Sequence, residues 1–146
     1  MQLAMIKTLQ DVEQCVELYI EVFNAAPWND EWTTATASQR LSDIYHSPGF
    51  LGIACHVDDR LVGCLLGNIE QYYTGPYFFL KEMCVRTALQ RQGIGQQLFE
   101  RLYQQLQQDQ MTSILLFTAK DFFPYTFYQK HGFHEVNGMR MMKKDW

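Results

Sequence analysis

Charge is scarce in this chain, and neither sign dominates. Only 19% of its 146 residues are charged, with 12 Lys and Arg against 16 Asp and Glu. Neutralising a phosphate backbone needs clustered Lys and Arg, so a net charge of −4 argues against nucleic acid as a partner. Mild acidity suits cationic substrates such as amines, without specifying one. Cysteine pairing motifs are missing too. Cys15, Cys55, Cys64 and Cys84 form no C-x-x-C and each sits among apolar residues, which reads as small buried hydrophobes in a reducing compartment. No basic head followed by an apolar run and a small-residue cleavage site opens the chain. No apolar run approaches the roughly 20 residues of a membrane span. The expectation is a soluble, cytoplasmic protein. No His, Cys or carboxylate spacing suggests a metal site: His46, His56, His131 and His134 are scattered. There is no repeat, low-complexity tract or Pro/Gly-rich linker, so residues 1–146 are expected to form one domain.

What is present is a well-patterned globular sequence, 47% hydrophobic. Residues 2–7 read as a first strand. Asp11 can cap a helix whose apolar residues Val12, Cys15, Val16, Tyr19, Ile20 and Phe23 recur at helical spacing, stopped by Pro27. A connector, Trp28-Asn29-Asp30-Glu31-Trp32, leads to a second helix capped by Thr33 or Thr34 and ended by Ser47-Pro48-Gly49. Residues 50–57 and 60–69 form a hairpin around Asp58-Asp59. Tyr72 to Tyr77 is a loop, and 78–86 a further strand. Residues 93–109 make a helix with Ile94, Leu98, Leu102 and Leu106 on one face. A buried strand at 112–118 and a short helix at 122–131, ended by Gly132, follow. One or two closing strands are expected around Asn137-Gly138. The strands at 78–86 and 112–118, joined by a helix, should be parallel. The fold class is therefore α/β, a mixed sheet of about six to seven strands flanked by about four helices.

The strand-to-helix turn carries the clearest chemistry. Gly93 and Gly95 open a helix directly after a strand. Amides at a helix start are unpaired, the helix dipole adds positive potential, and glycine removes the Cβ atoms that would hold a phosphate off. Such a turn can bind phosphate or pyrophosphate, or its glycines can be steric only. It is no Walker loop, since no Gly-Lys-Ser/Thr follows. Nor is it a dinucleotide fingerprint, because Leu98 stands where a third glycine belongs.

Two segments resemble a known family. Val85-Arg86-Thr87-Ala88-Leu89-Gln90-Arg91-Gln92-Gly93-Ile94-Gly95-Gln96-Gln97-Leu98 resembles the acetyl-CoA signature of the GNAT N-acetyltransferase superfamily, Gln/Arg-x-x-Gly-x-Gly/Ala after a strand ending in Val. Phe127-Tyr128-Gln129-Lys130-His131-Gly132-Phe133 resembles its Phe-Tyr-x-Lys-x-Gly-Phe signature. Their spacing leaves room for one strand and one helix, and the element order matches along the whole chain. Within the superfamily the chain looks most similar to small bacterial single-domain members acting on aminoglycosides and general amines.

The resemblance implies a fold and a division of labour. Gln90, Arg91, Gln92, Gly93, Ile94, Gly95 and Gln96 would bind the coenzyme A pyrophosphate through backbone amides. Met83, Cys84 and Val85 would pair with the pantetheine arm, and one of their amides would polarise the thioester carbonyl. The family often has Asn near the end of the next strand, where this chain has Thr118-Ala119-Lys120. Acetyl-CoA is then the acyl donor, an amine the acceptor, and no metal is needed. Glu82 is the candidate general base, with Glu70 as the alternative; Glu82 could equally be an outward strand residue or a charge partner of Lys81 or Arg86. Tyr128 is the candidate acid for the departing thiolate, since phenol and thiol have similar proton affinities; the other reading is aromatic packing beside Phe127. Cys84 could serve as an acyl-accepting nucleophile, but the family transfers acyl groups directly. Trp28, Asp30, Glu31, Trp32, Glu70 and Tyr73 are candidate acceptor-site residues, because acids and aromatic faces suit an ammonium group. A non-catalytic acyl-CoA sensor with this fold is the competing reading, and exposed Met139, Met141, Met142 and Trp146 leave room for a homodimer.

Overall fold

The computed structural model describes all 146 residues. They divide into two compact units, Met1–Leu116 and Phe117–Trp146. The first unit holds β1 (Gln2–Met5), α1 (Leu9–Glu13), α2 (Val16–Phe23), α3 (Thr34–Tyr45), β2 (Phe50–Val57), β3 (Arg60–Tyr72), β4 (Gly75–Val85), a 3-10 turn at Thr87–Leu89, α4 (Ile94–Gln108) and β5 (Ile114–Leu116). The second holds α5 (Phe123–Lys130).

The five strands lie in sequence order in one sheet. β1 to β4 are antiparallel neighbours, and β5 runs parallel to β4 as the crossover through α4 requires. Asp58 and Asp59 both take positive φ, 50° and 61°, the conformation of a tight two-residue hairpin turn between β2 and β3.

Successive residues of β3 face opposite sides of the sheet. A side chain at Gly63 would meet Ile94 and Leu98 of α4, at 3.1 and 3.3 Å. Its neighbour Cys64 and then Leu66 join a buried cluster with Val12, Leu18, Tyr19, Leu41 and Ile44 from α1 to α3. Helices therefore cover both faces, α1–α3 on one and α4 on the other. All four cysteines are buried and unbridged, with the Sγ atoms of Cys64 and Cys84 3.8 Å apart across β3 and β4.

Several expectations need correction. The first helix is two. Thr8, not Asp11, caps α1: its hydroxyl accepts from the Asp11 amide while the Asp11 carboxylate accepts from the Thr8 amide, so Asp11 is the third residue of a capping box. A break at Gln14-Cys15 then starts α2, which ends at Phe23, before Pro27. Thr33 caps α3 through a reciprocal pair with Thr36. The loop expected at Tyr72 to Tyr77 is a two-residue turn: β3 runs to Tyr72, which pairs with Gly75 of β4.

The sheet has five strands rather than six or seven, and β5 is only Ile114–Leu116. The tight turn at Asn137-Gly138 does form, with the Met139 amide on the Val136 carbonyl at 3.1 Å, yet no strands flank it. Val136, Met139, Met141, Met142 and Trp146 are all exposed. A turn signal closes a local bond; a ladder also needs a buried face, and a two-stranded hairpin alone is marginal.

One glycine fixes the course of β4. The β3–β4 register shifts by one residue between Leu66 and Gly67: Leu66 faces Glu82, Gly67 faces Leu80, and Lys81 is the extra residue. A Cβ at Gly67 would lie 2.2 Å from the Phe79 carbonyl oxygen and 2.6 Å from the Phe78 ring. Only glycine lets the strands approach this closely.

Candidate active site

β4 sets Glu82 in place. Cys84 belongs to the cluster under α1–α3, so Glu82, two residues earlier, shares that face. Its Oε1 accepts two hydrogen bonds, from the Tyr19 hydroxyl of α2 at 3.0 Å and from Arg40 Nε of α3 at 3.0 Å. Tyr19 is buried; the Glu82 side chain is 15% exposed and that of Arg40 41%. Burial pushes the Glu82 carboxyl above its ordinary pKa. The Arg40 charge and the two hydrogen bonds pull it back, Asp30 pushes it up again, and the net shift is upward. Burial, then the Glu82 charge, raises the Tyr19 phenol well above its usual range, so it stays a donor.

The connector after α2 is tied down by one side chain. Asn24 donates through Nδ2 to the Trp32 carbonyl and accepts through Oδ1 from the Trp32 amide, both at 2.9 Å. The Asp30 amide bonds the Phe23 carbonyl, and the Trp32 indole donates to Asp30 Oδ2 at 3.0 Å. Tyr19 packs against Trp32 and Phe23, with ring centroids 5.1 and 4.8 Å apart, and Phe23 against Trp28 at 5.1 Å. An aromatic cluster with one anchored carboxylate thus adjoins the Tyr19–Glu82 pair.

Glu70 and Tyr73 sit elsewhere. Glu70 pairs with Tyr77, whose hydroxyl donates to its Oε2 at 2.6 Å, and Tyr73 is at the β3–β4 turn, 88% exposed. Glu70 lies four residues along β3 from Leu66, the partner of Glu82, roughly 13 Å away. The structure does not bring these two residues to the Glu82 group, and Glu31 is exposed in the connector.

The far half of β4 has an open edge. β5 pairs only with Phe78 to Leu80, leaving Lys81 to Val85 with β3 on one side and no strand on the other. The Arg86 amide bonds the Val62 carbonyl, so Arg86 and Cys84 point their backbone groups at β3. By alternation Met83 and Val85 point theirs outward. The Val85 carbonyl is taken by Gln90 Nε2 at 3.0 Å, which ties the following loop to the strand end. The outward Met83 amide and carbonyl and the Val85 amide remain for an extended ligand.

That loop ends in a left-handed residue. Gly93, at φ 87°, caps α4 with no side-chain hydrogen bond, and Arg91 before it also has positive φ. The first amide of α4 bonded inside the helix is that of Gln97, to the Gly93 carbonyl. The Ile94, Gly95 and Gln96 amides open the helix, beside exposed Arg91 and Gln92. The Gln96 side chain turns to Glu100 at 3.0 Å, so its backbone is what faces a ligand. Open amides at the start of a 15-residue helix are chemically suited to an anion.

Within the second unit, Tyr128 stands on α5, half-buried between the Phe127 and Phe133 rings, each with its centroid 5.6 Å away. The Tyr125 hydroxyl donates to Glu135 at 3.0 Å. No group of three or more His, Cys, Asp or Glu is arranged to hold a metal ion, and no helix is long and apolar enough to cross a membrane.

Residues 44–135 match the acetyltransferase (GNAT) domain, more than half of the chain and both signature segments from Val85 onward. The chain belongs to the GNAT acetyltransferase family. The GNAT fold recurs in solved structures across the full length. An aminoglycoside antibiotic 6'-N-acetyltransferase from Acinetobacter haemolyticus superposes with a TM-score of 0.78 at 19% identity, covering 100% of this chain and 99% of that one. A ribosomal-protein-alanine N-acetyltransferase from Brucella melitensis gives 0.76 at 12%, covering 99% and 100%. A transcriptional regulator from Bacillus halodurans C-125 gives 0.73 at 19%, covering 99% and 100%. No curated protein sequence matches the chain.

GNAT enzymes transfer acetyl from acetyl-CoA to an amine, and N-acetyl transfer is the activity that membership brings to this chain. Two residues of the Glu82 group are not foreseeable as site residues. Tyr19 reads as one more apolar-stripe position of α2, and Arg40 as a surface cation. The available signal is that Arg40 is the lone cation of α3. The partner of Glu82 is Arg40, neither Lys81 nor Arg86; Arg86 instead reaches Glu21 and the Leu61 carbonyl.

Proposed function

We propose that the chain acetylates a primary amine of a small molecule or peptide, with Glu82 as general base. The observation that carries this is a carboxylate of raised pKa on the open-edged half of β4, one and three residues before two outward-facing amides. The α4 cradle from Gln90 to Gln96 would hold the coenzyme pyrophosphate, and Met83 and Val85 would pair with the pantetheine arm. An outward amide would polarise the thioester carbonyl. The amine nitrogen attacks that carbon, Glu82 takes the amine proton, the C–S bond breaks, and Tyr128 protonates the thiolate. Of the acceptor candidates, Trp32 packs on Tyr19, Trp28 packs on Phe23 beside it, and Asp30 is held by the Trp32 indole, which supports these three; Glu31, Glu70 and Tyr73 have no such support.

Thiol release from acetyl-CoA across a panel of aminoglycosides, polyamines, amino acids and peptides tests the reading. At least one class should turn over, and Tyr128→Phe should lower its kcat. No release with any amine, together with tight coenzyme binding, would favour an acyl-CoA sensor instead. If Tyr128→Phe left kcat untouched, its acid role would be wrong.

A further inference from the structure

The two hydrogen bonds to Glu82 converge on one atom. Tyr19 and Arg40 both donate to Oε1, from different helices and at the same 3.0 Å. Oε2 receives no hydrogen bond from the protein, and it is not among the buried polar atoms left without a partner, so solvent reaches it. A carboxylate held this way is asymmetric. Its orientation is fixed by two donors on one oxygen, and the lone pairs of the other are free to take a proton.

We infer that Tyr19 and Arg40 are positioning residues that hold Glu82 by Oε1 and present Oε2 as the proton-accepting atom. The inference rests on Glu82 being the base. Both donors are suited to the task. The Tyr19 phenol is locked by Phe23 and Trp32 and stays protonated across the working range. Arg40 cannot lose its charge, and a single Nε contact leaves its exposed fork outside the bond. Both donors favour the charged form of Glu82 against its burial, so the base is ionised at a lower pH than burial alone would allow. Other groups also act on Glu82. Asp30 in the connector opposes ionisation, and the buried thiols of Cys64 and Cys84 lie nearby on β3 and β4.

The test is the acidic limb of kcat/KM against pH, read with an acceptor acetylated by the wild type. Removing either donor makes the carboxylate harder to form, so Tyr19→Phe and Arg40→Gln should move the limb to higher pH. On the limb, activity relative to each variant's own plateau should fall about tenfold, the worth of one hydrogen bond to a charged group. Arg40→Lys, which restores the charge, should bring the limb back toward the wild type. A merely structural role lowers the plateau without moving the limb. Circular dichroism and thermal melts report whether each variant folds. The Glu82 carboxyl resonance, titrated by carbon NMR, must shift the same way in any folded variant. An unmoved limb and an unmoved resonance overturn the positioning role and leave acetyl transfer standing. If the wild type releases no thiol with any amine, the base assignment falls, and this inference with it.

Discussion

Replacing Gly93 probes the loop proposed to bind the coenzyme, with little else disturbed. The residue sits at φ 87° and ψ 0°, and a Cβ there would meet nothing within 4 Å. Gly93→Ala therefore brings no clash, and its cost is conformational: holding an L-residue in the left-handed region costs roughly 1–2 kcal/mol. In a chain of this size that lowers Tm by about 3–7 °C. Gly93→Asn should lose less, since Asn tolerates this region, and Gly93→Val more. Two outcomes are possible for the ligand. If the loop keeps its shape and the added Cβ stays clear of the phosphate, coenzyme A affinity is nearly unchanged and the melt carries the whole effect. If the backbone rotates to relieve strain, the first α4 amides turn away from the phosphate. Each lost charge-assisted bond costs about 1.5–3 kcal/mol, a tenfold or larger rise in Kd. Thermal melts with and without coenzyme A, and calorimetric Kd values, separate the two. Gly93→Val with wild-type Tm and wild-type Kd would refute both the left-handed turn and its place in the cradle.

Gly67→Ala should be severe, because its Cβ would need the Phe79 carbonyl 2.2 Å away to move; a loss of roughly 3 kcal/mol or more is expected in urea unfolding. Asp30→Asn removes a charge that opposes Glu82 ionisation, so the acidic limb of kcat/KM should move to lower pH, opposite to the Tyr19 and Arg40 variants. Stability should also depend on Glu82. Its folded pKa is raised, so its contribution is fully present below the unfolded value and lost as pH rises through the folded value. Unfolding free energies measured across that window should decline less in Glu82→Gln than in the wild type.

Much of the fold was legible because it is written in local signals. The Asp58-Asp59 hairpin, the Thr33 cap and the α4 stripe from Ile94 to Leu106 each follow from residues close in sequence. The glycine loop was legible for the same reason. Features set by non-local pairing were not. The bulge at Lys81 depends on Gly67 meeting Phe79 across the sheet, and the Asn137-Gly138 turn lacks the pairing that would make strands of its flanks. In the site, Glu82 stood out by its place on the strand before the loop. Tyr19 and Arg40 lie 63 and 42 residues away from it, and nothing local marks them as its partners. Glu70 and Tyr73 looked like acceptor residues by composition, yet the two-residue turn extends the strands and carries them away from Glu82.

The most direct measurement of the central claim is thiol release by Glu82→Gln beside the wild type, with the best acceptor and with the Kd for acetyl-CoA determined on the same preparations. Gln keeps the shape and can still accept from Tyr19 and Arg40, but it cannot take a proton. If Glu82 is the base, the variant keeps an unchanged Kd, loses about 10²–10⁴-fold in kcat/KM and loses the wild-type acidic limb. A variant with wild-type kcat/KM and an intact limb would contradict Glu82 as the base.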